Sequence, residues 1–199
     1  YQEEMAEDIA LMAAVQPSDD SYFGTSVFNH AKHRILWLLF LMLSATITGT
    51  IISRYEETIS AIPLLVSFIP MLMDTGGNCG TQSSTLVIRG IATDEIRFSD
   101  LFKVAFKESR IALIVGAALA AVNGLRIIVM YQDPRLAILL GISLMCTVFL
   151  AELIGCLLPL LAKKVHLDPA IMAAPLITTI VDTCSIIIYF AIATHLFAL

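Results

Sequence analysis

Long apolar runs, separated by short polar segments, fill this sequence from about residue 35 to its end. A membrane-spanning helix needs about 20 mainly apolar residues, and five stretches approach or exceed that length. These stretches are about Ile35–Ser53, Ile59–Ile88, Ile111–Met130, Leu136–Ala162 and Ala170–Leu196. The pattern therefore predicts an all-α membrane protein, with a bundle of five transmembrane helices in each subunit.

The first 29 residues follow a different pattern, in which acidic and apolar side chains recur at helical spacing on opposite faces. The acidic positions are Glu3, Glu4, Glu7 and Asp8, and the apolar positions are Met5, Ile9 and Met12. Turn-forming residues between Pro17 and Gly24 end this pattern. We expect residues 1–29 to form a cytoplasmic amphipathic helix and a linker, and residues 30–199 to form the transmembrane domain.

Basic residues are distributed unequally among the segments that connect the predicted helices. Nine of the twelve Lys and Arg residues precede the first helix or follow the second or the fourth. The other three are Arg54, Arg126 and Arg135. Because basic loops stay on the cytoplasmic side, we expect a multi-pass protein of the inner or plasma membrane. Its N-terminus is then cytoplasmic and its C-terminus lies outside.

Composition supports lipid as the solvent and argues against two functional classes. Hydrophobic residues make up 58% of the chain and charged residues 15%, against roughly 45–50% and about 25% in soluble domains. The net charge of -5 provides no basic patch for nucleic acid. An intramembrane serine protease needs a histidine at membrane depth, but all four histidines lie near the ends of predicted helices. We therefore expect neither a nucleic-acid partner nor an enzyme.

Three acidic residues, Asp74, Glu152 and Asp182, fall inside predicted transmembrane helices. An acid at the bilayer centre costs on the order of 3 kcal/mol, so such residues usually face a cavity, pair with a partner or bind a cation. Asp182 is the strongest candidate for cation binding, and Asp74 and Glu152 are candidates for secondary cation sites. For Asp182 and Glu152 the alternative is a protonated side chain that is hydrogen-bonded to a polar neighbour. For Asp74 the alternative is a position toward one membrane surface, where it caps the helix that follows.

Small and polar residues surround Asp182 at helical spacing on a helix that is otherwise rich in Ile, Leu and Ala. Thr178 and Thr179 precede it by one turn, Ala174 precedes it by two turns, and Ser185 follows it by one turn. Carboxylate and hydroxyl oxygens are the ligands that hard cations prefer. We expect Asp182, Thr178 and Thr179 to bind the metal, with Ala174 and Ser185 lining the same pore.

A second polar row lies on the second predicted helix. Asn78, Gln82 and Thr85 recur there at helical spacing, and glycines at 76, 77 and 80 allow a broken or closely packed helix. Amides can hydrogen-bond to the water shell of an ion without adding charge. We expect these three residues to line the pore, although amide hydrogen bonds between helices are an alternative.

Two segments, PMLMDTGGNCGTQSSTLVIRG from Pro70 and DPAIMAAPLITTIVDTCSIIIYF from Asp168, resemble the MgtE family of magnesium transporters. The resemblance covers nearly the whole chain and implies a homodimer with five transmembrane helices per subunit. It implies a pore on the dimer axis, lined by the second and fifth helices, in which Asp182 binds magnesium. The N-terminal helix resembles the family's plug helix, which links the pore to cytoplasmic regulatory N-terminal and CBS domains in the full-length protein.

The expected function is therefore the transport of Mg²⁺ through a channel-like pore on a homodimer axis. A sodium-coupled Mg²⁺ exchanger is one alternative. A broader transporter of divalent cations is another, because oxygen ligands also suit Mn²⁺, Co²⁺ and Ca²⁺.

Overall fold

The computed structural model describes residues 7, 9–13, 15, 23–172 and 174–198, and every element within them is helical. The α-helices are α1 (Val27–Arg54), α2 (Glu56–Ala61), α3 (Ile69–Ala92), α4 (Leu101–Tyr131), α5 (Pro134–Lys164) and α6 (Ala174–Phe197). Short 3₁₀ helices at Pro63–Phe68, Phe98–Asp100 and Pro169–Met172 precede α3, α4 and α6. The predicted all-α class is confirmed.

Four helices in the described part of the chain are long and apolar enough to cross a membrane: α1, α4 with its 3₁₀ turn, α5 and α6. The predicted number of five is therefore not confirmed. At 24 residues, α3 has the length for a crossing, but its many polar side chains make it less apolar than the other four.

The second predicted helix, Ile59–Ile88, is wrong as a single element. Ile62 leaves the helical conformation with φ -134° and ψ 79°, and Pro63 and Pro70 each occupy the first turn of the helix that follows. The hydroxyl of Tyr189 on α6 donates to the carbonyl oxygen of Leu65 at 3.0 Å and fixes this bend. By contrast, the glycines of α3 do not break the helix.

The charged segment between the second and third predicted helices is shorter than expected, because α3 continues to Ala92 and α4 begins at Leu101. Lys103, Lys107 and Arg110 are exposed on the first turns of α4 rather than in a loop. The sequence prediction started this helix at Ile111 because the charges interrupt the apolar run.

Close backbone contacts hold α3 against the central helix α5. A side chain at Gly155 of α5 would collide with the backbone of Gly80, and a Cβ on Gly80 would lie 3.2 Å from the carbonyl oxygen of Ala151. Small residues let helices approach in this way where no hydrophobic force acts between them. Of the two predicted roles of the glycines in α3, a broken helix or close packing, the structure therefore supports close packing.

Helix α1 lies at the side of the bundle and packs mainly against α6. Its one buried residue is Thr48, whose hydroxyl is 2.8 Å from that of Thr183 on α6. Of the predicted amphipathic helix before it, residues 9–12 are helical, and most of the remaining positions lie outside the described residues. That element is not confirmed as a whole.

Candidate cation site

A row of exposed polar side chains runs along α3, and we call it the polar stripe. Its members are spaced by three or four residues: Asp74, Asn78, Gln82, Thr85 and Arg89. The opposite side of α3 is buried against α5 and α6. This spacing places the five side chains in one sector of the helix. The polar stripe thus lies on the part of α3 that the rest of the subunit leaves uncovered.

Two residues of α6 meet the N-terminal half of the polar stripe. Thr178 and Asp182 lie one helical turn apart, and both are half-buried. With Met73, Asp74, Gly77 and Asn78 of α3, they line a cleft of about 190 Å³. We call this the Asp74–Asp182 cleft. Its backbone geometry depends on Gly77, where a Cβ would lie only 2.9 Å from Cγ2 of Thr178.

The chemistry of the Asp74–Asp182 cleft suits a hydrated cation. Its lining provides two carboxylates, one amide and one hydroxyl, and it includes no basic side chain. The hydroxyl of Thr178 donates to the carbonyl oxygen of Pro175 at 3.0 Å, so its lone pairs remain available to accept hydrogen bonds. Each water molecule occupies about 30 Å³ in the liquid, so the cleft has room for several.

Direct metal chelation within one subunit is not supported by the described side chains. They form no group of three or more His, Cys, Asp or Glu residues that could hold a metal ion. Both carboxylates line the same cleft, and like charges that lie near each other repel. An ion that keeps its water shell needs fewer direct ligands and still neutralises this repulsion.

The structure brings only part of the predicted site together. Gln82 and Thr85 lie on the polar stripe beyond the Asp74–Asp182 cleft. The hydroxyl of Thr179 donates to the carbonyl oxygen of Pro175 at 2.9 Å, and the residue does not line the cleft. Ala174 is the first residue of α6, and its side chain lies outside the description.

The position of Ser185 does not support the prediction that this residue lines the pore. It is 1% exposed, and its hydroxyl donates to the carbonyl oxygen of Val181 at 2.7 Å. Its Oγ would lie 3.3 Å from a Cβ on Gly76. Ser185 therefore belongs to the face of α6 that packs against α3, because the missing side chain of Gly76 lets the two helices close over it.

Glu152 is also placed away from the Asp74–Asp182 cleft. It is 4% exposed, and its side chain lies beside that of Glu108 on α4, which is 7% exposed. The hydroxyl of Ser83 on α3 lies 2.7 Å from Oε2 of Glu108 and 3.1 Å from the backbone carbonyl oxygen of Glu152. The three residues join α3, α4 and α5 in the interior of the bundle.

Sequence reasoning missed Glu108 because it assigned this residue to a loop. A usable signal was present, since Glu108 shares a helical face with Ala112 and Gly116, both of which are buried on α4. Extending that spacing one turn before Ile111 would have placed the acid on the buried face.

Comparison with known proteins identifies the family of this chain. The family model MgtE, described as a divalent cation transporter, matches residues 69–192. The chain belongs to the MgtE family. The matched segment begins with α3 and ends in α6, so it contains the whole Asp74–Asp182 cleft. The resemblance seen in the sequence is confirmed, and a family of transporters agrees with the expectation that the protein is not an enzyme.

Individual members of the MgtE family are similar over almost all of this chain. Proteins named magnesium transporter MgtE are 34% identical over 192 residues in Thermus thermophilus and 34% identical over 191 residues in Bacillus subtilis. The corresponding protein of Enterococcus faecalis is 32% identical over 196 residues. In each case the match covers 96% of this chain and 42% of the relative. Together with its long apolar helices, this membership makes the chain part of a multi-pass membrane protein.

Proposed function

We propose that this chain is the pore domain of a magnesium transporter that works as a homodimer. In this proposal α3 is the fifth membrane crossing, and the polar stripes of two subunits face each other across a twofold axis. The support is energetic: polar side chains exposed to hydrocarbon are costly, and a second subunit would cover them while leaving a wet path between the two copies. The N-terminus is cytoplasmic, as the distribution of basic residues predicts.

The observation that carries the proposal is the convergence of Asp74 and Asp182 in one cleft that has room for several water molecules. Mg²⁺ gives up its water reluctantly, so the cleft would bind the hydrated ion through its water molecules. The two Asp182 carboxylates, one from each subunit, supply charge. The hydroxyl of Thr178 accepts hydrogen bonds from those water molecules, as does Asp74 at a second position in the cleft.

The membrane potential is a sufficient driving force for this transport. It contributes about 2.3 kcal/mol per charge for each 100 mV, and a divalent ion experiences twice that. Passage then requires binding that attracts the ion but still releases it, and a water-mediated site meets this condition.

The test is replacement of Asp182 by Asn or Ala, with Mg²⁺ uptake measured in lipid vesicles. We expect uptake to fall at least ~10-fold, because a charge-assisted interaction contributes about 1.5–3 kcal/mol. Glu95→Gln is the matched control, since it removes an exposed acid in the connection between α3 and α4 and should leave uptake unchanged. Normal uptake by a folded Asp182 variant would remove the proposed site.

The same vesicles distinguish the alternatives for mechanism and selectivity. Uptake that persists without a sodium gradient supports a channel, whereas uptake that requires one supports a sodium-coupled exchanger. Competition by Mn²⁺, Co²⁺ or Ca²⁺ measures selectivity. We also propose that the rest of the full-length protein provides the cytoplasmic regulatory N-terminal and CBS domains, since the chain spans 42% of the length of the relatives it matches.

A further inference from the structure

The polar stripe ends in a positive charge, although the cleft at its other end is acidic. Arg89 lies 15 residues after Asp74, which corresponds to about 22 Å along α3 and a rotation of about 60° from it. This angle places Arg89 in the same sector as Asn78 and Gln82. Its side chain is exposed, and in the described part of the chain it has no ion-pair partner.

Two ordinary roles explain a basic residue near this end of α3. Arg89 lies in the last turn of the helix, where a cation interacts favourably with the helix dipole, and basic residues collect at cytoplasmic membrane boundaries. Either role can be met from any side of the helix. Neither role requires the charge to lie on the polar stripe, where it shares one side of the helix with the residues that face the proposed ion path.

We propose that Arg89 is a rate- and direction-determining residue of the pore, a proposal that rests on the proposed function. In the dimer, the two guanidinium groups would produce a positive potential at the cytoplasmic mouth. Such a potential lowers the local concentration of divalent cations there. Ions entering from the outside reach the acidic cleft first, so entry is affected less than exit, and the pore conducts inward better than outward.

Two features of the arginine side chain make this effect permanent but sensitive to salt. A guanidinium stays charged throughout the physiological pH range, so the barrier is permanent. It is exposed, so dissolved ions screen it. The Debye length falls from about 10 Å at 0.1 M salt to about 3 Å at 1 M. Inward rectification should therefore weaken as salt is raised.

The experiment measures Mg²⁺ currents across planar bilayers at both polarities for wild type, Arg89→Gln, Arg89→Lys and Lys107→Gln. At low ionic strength we expect Arg89→Gln to lower the ratio of inward to outward current by roughly 10-fold, the low end of charge-focusing effects. Arg89→Lys keeps the charge and should keep the ratio. Lys107→Gln removes an exposed charge from α4, off the polar stripe, and should also keep it.

An unchanged ratio in folded Arg89→Gln, or an equal change in Lys107→Gln, would overturn the inference. If Arg89→Gln does not fold, the salt dependence of the wild-type current ratio tests the inference. A ratio that does not change with salt contradicts an exposed charge as its cause. Asp182→Ala is recorded in parallel. If wild type carries no Mg²⁺ current, or if its current persists in Asp182→Ala, the proposed pore is wrong. That result is distinct from a failure of the Arg89 proposal, in which the current is present but its ratio does not depend on Arg89.

Discussion

Glu108 and Glu152 form a carboxyl pair inside the bundle, and this pair has a chemical requirement. Two carboxyl groups can hydrogen-bond to each other only when one of them carries a proton, so we expect the pair to carry at most one negative charge. Ser83 can donate a further hydrogen bond to Glu108. The pair is therefore satisfied by its own neighbours, unlike the two acids that line the Asp74–Asp182 cleft.

This arrangement predicts different results for two substitutions of Glu108. Glu108→Gln supplies an N–H donor to Glu152 and should change the stability by less than about 1 kcal/mol. Glu108→Ala removes an acceptor of Ser83 and the partner of Glu152, and should cost about 1–3 kcal/mol. Thermal unfolding of the two purified variants measures the difference. If Glu108→Ala proves as stable as Glu108→Gln, the hydrogen bonds do not contribute to stability.

The sequence was informative about single residues where an unusual side chain stood in apolar surroundings. Asp182, Thr178 and Asn78 were chosen on that ground, and the structure brings them to one cleft. Ser185 and Glu152 met the same criterion and lie elsewhere. Helical spacing gives the sector of a residue on its own helix, but the neighbour that covers this sector depends on tertiary packing, which one sequence does not specify.

At the scale of elements, the glycines of α3 and α5 determine how close the two helices lie. Four of the five predicted membrane helices were recognisable because apolar length alone identifies them. Helix α3 was harder to delimit, because its polar stripe lowers its hydropathy and Pro63 and Pro70 divide the segment before it. The pattern of small residues indicated close packing, but it did not identify Gly155 and Gly80 as the contacting pair.

The contact between Gly155 and Gly80 predicts a strong effect of a single methyl group. Gly155→Ala would direct a Cβ into the backbone of α3, and overpacking of this kind typically costs about 1–3 kcal/mol. Gly124→Ala is the matched control, since a Cβ at Gly124 has nothing within 4 Å. The apparent melting temperature should fall for the first variant only. Equal melting temperatures would mean that α3 can move away from α5 without a loss of stability.

At the scale of the whole molecule, the proposed dimer places the polar stripes of two subunits opposite each other. This predicts that Gln82→Cys, in a background without the four native cysteines, is cross-linked to a second copy by a short bifunctional maleimide in membranes. Leu125→Cys on α4 is the control, because this residue is 66% exposed and does not lie on α3. Dimer bands should appear for Gln82→Cys alone, and similar bands for both variants would contradict the proposed axis.

Helix α1 has a practical consequence for anyone who purifies this protein. It contributes one buried residue to the bundle and meets α6 through the hydroxyls of Thr48 and Thr183. Most of its surface must therefore be solvated by acyl chains. Extraction with a harsh detergent replaces those acyl chains, which form most of the surroundings of α1. We therefore expect α1 to be the first helix to dissociate from the bundle. Mild detergents or native lipid particles are the better choice for preserving the contact of α1 with α6.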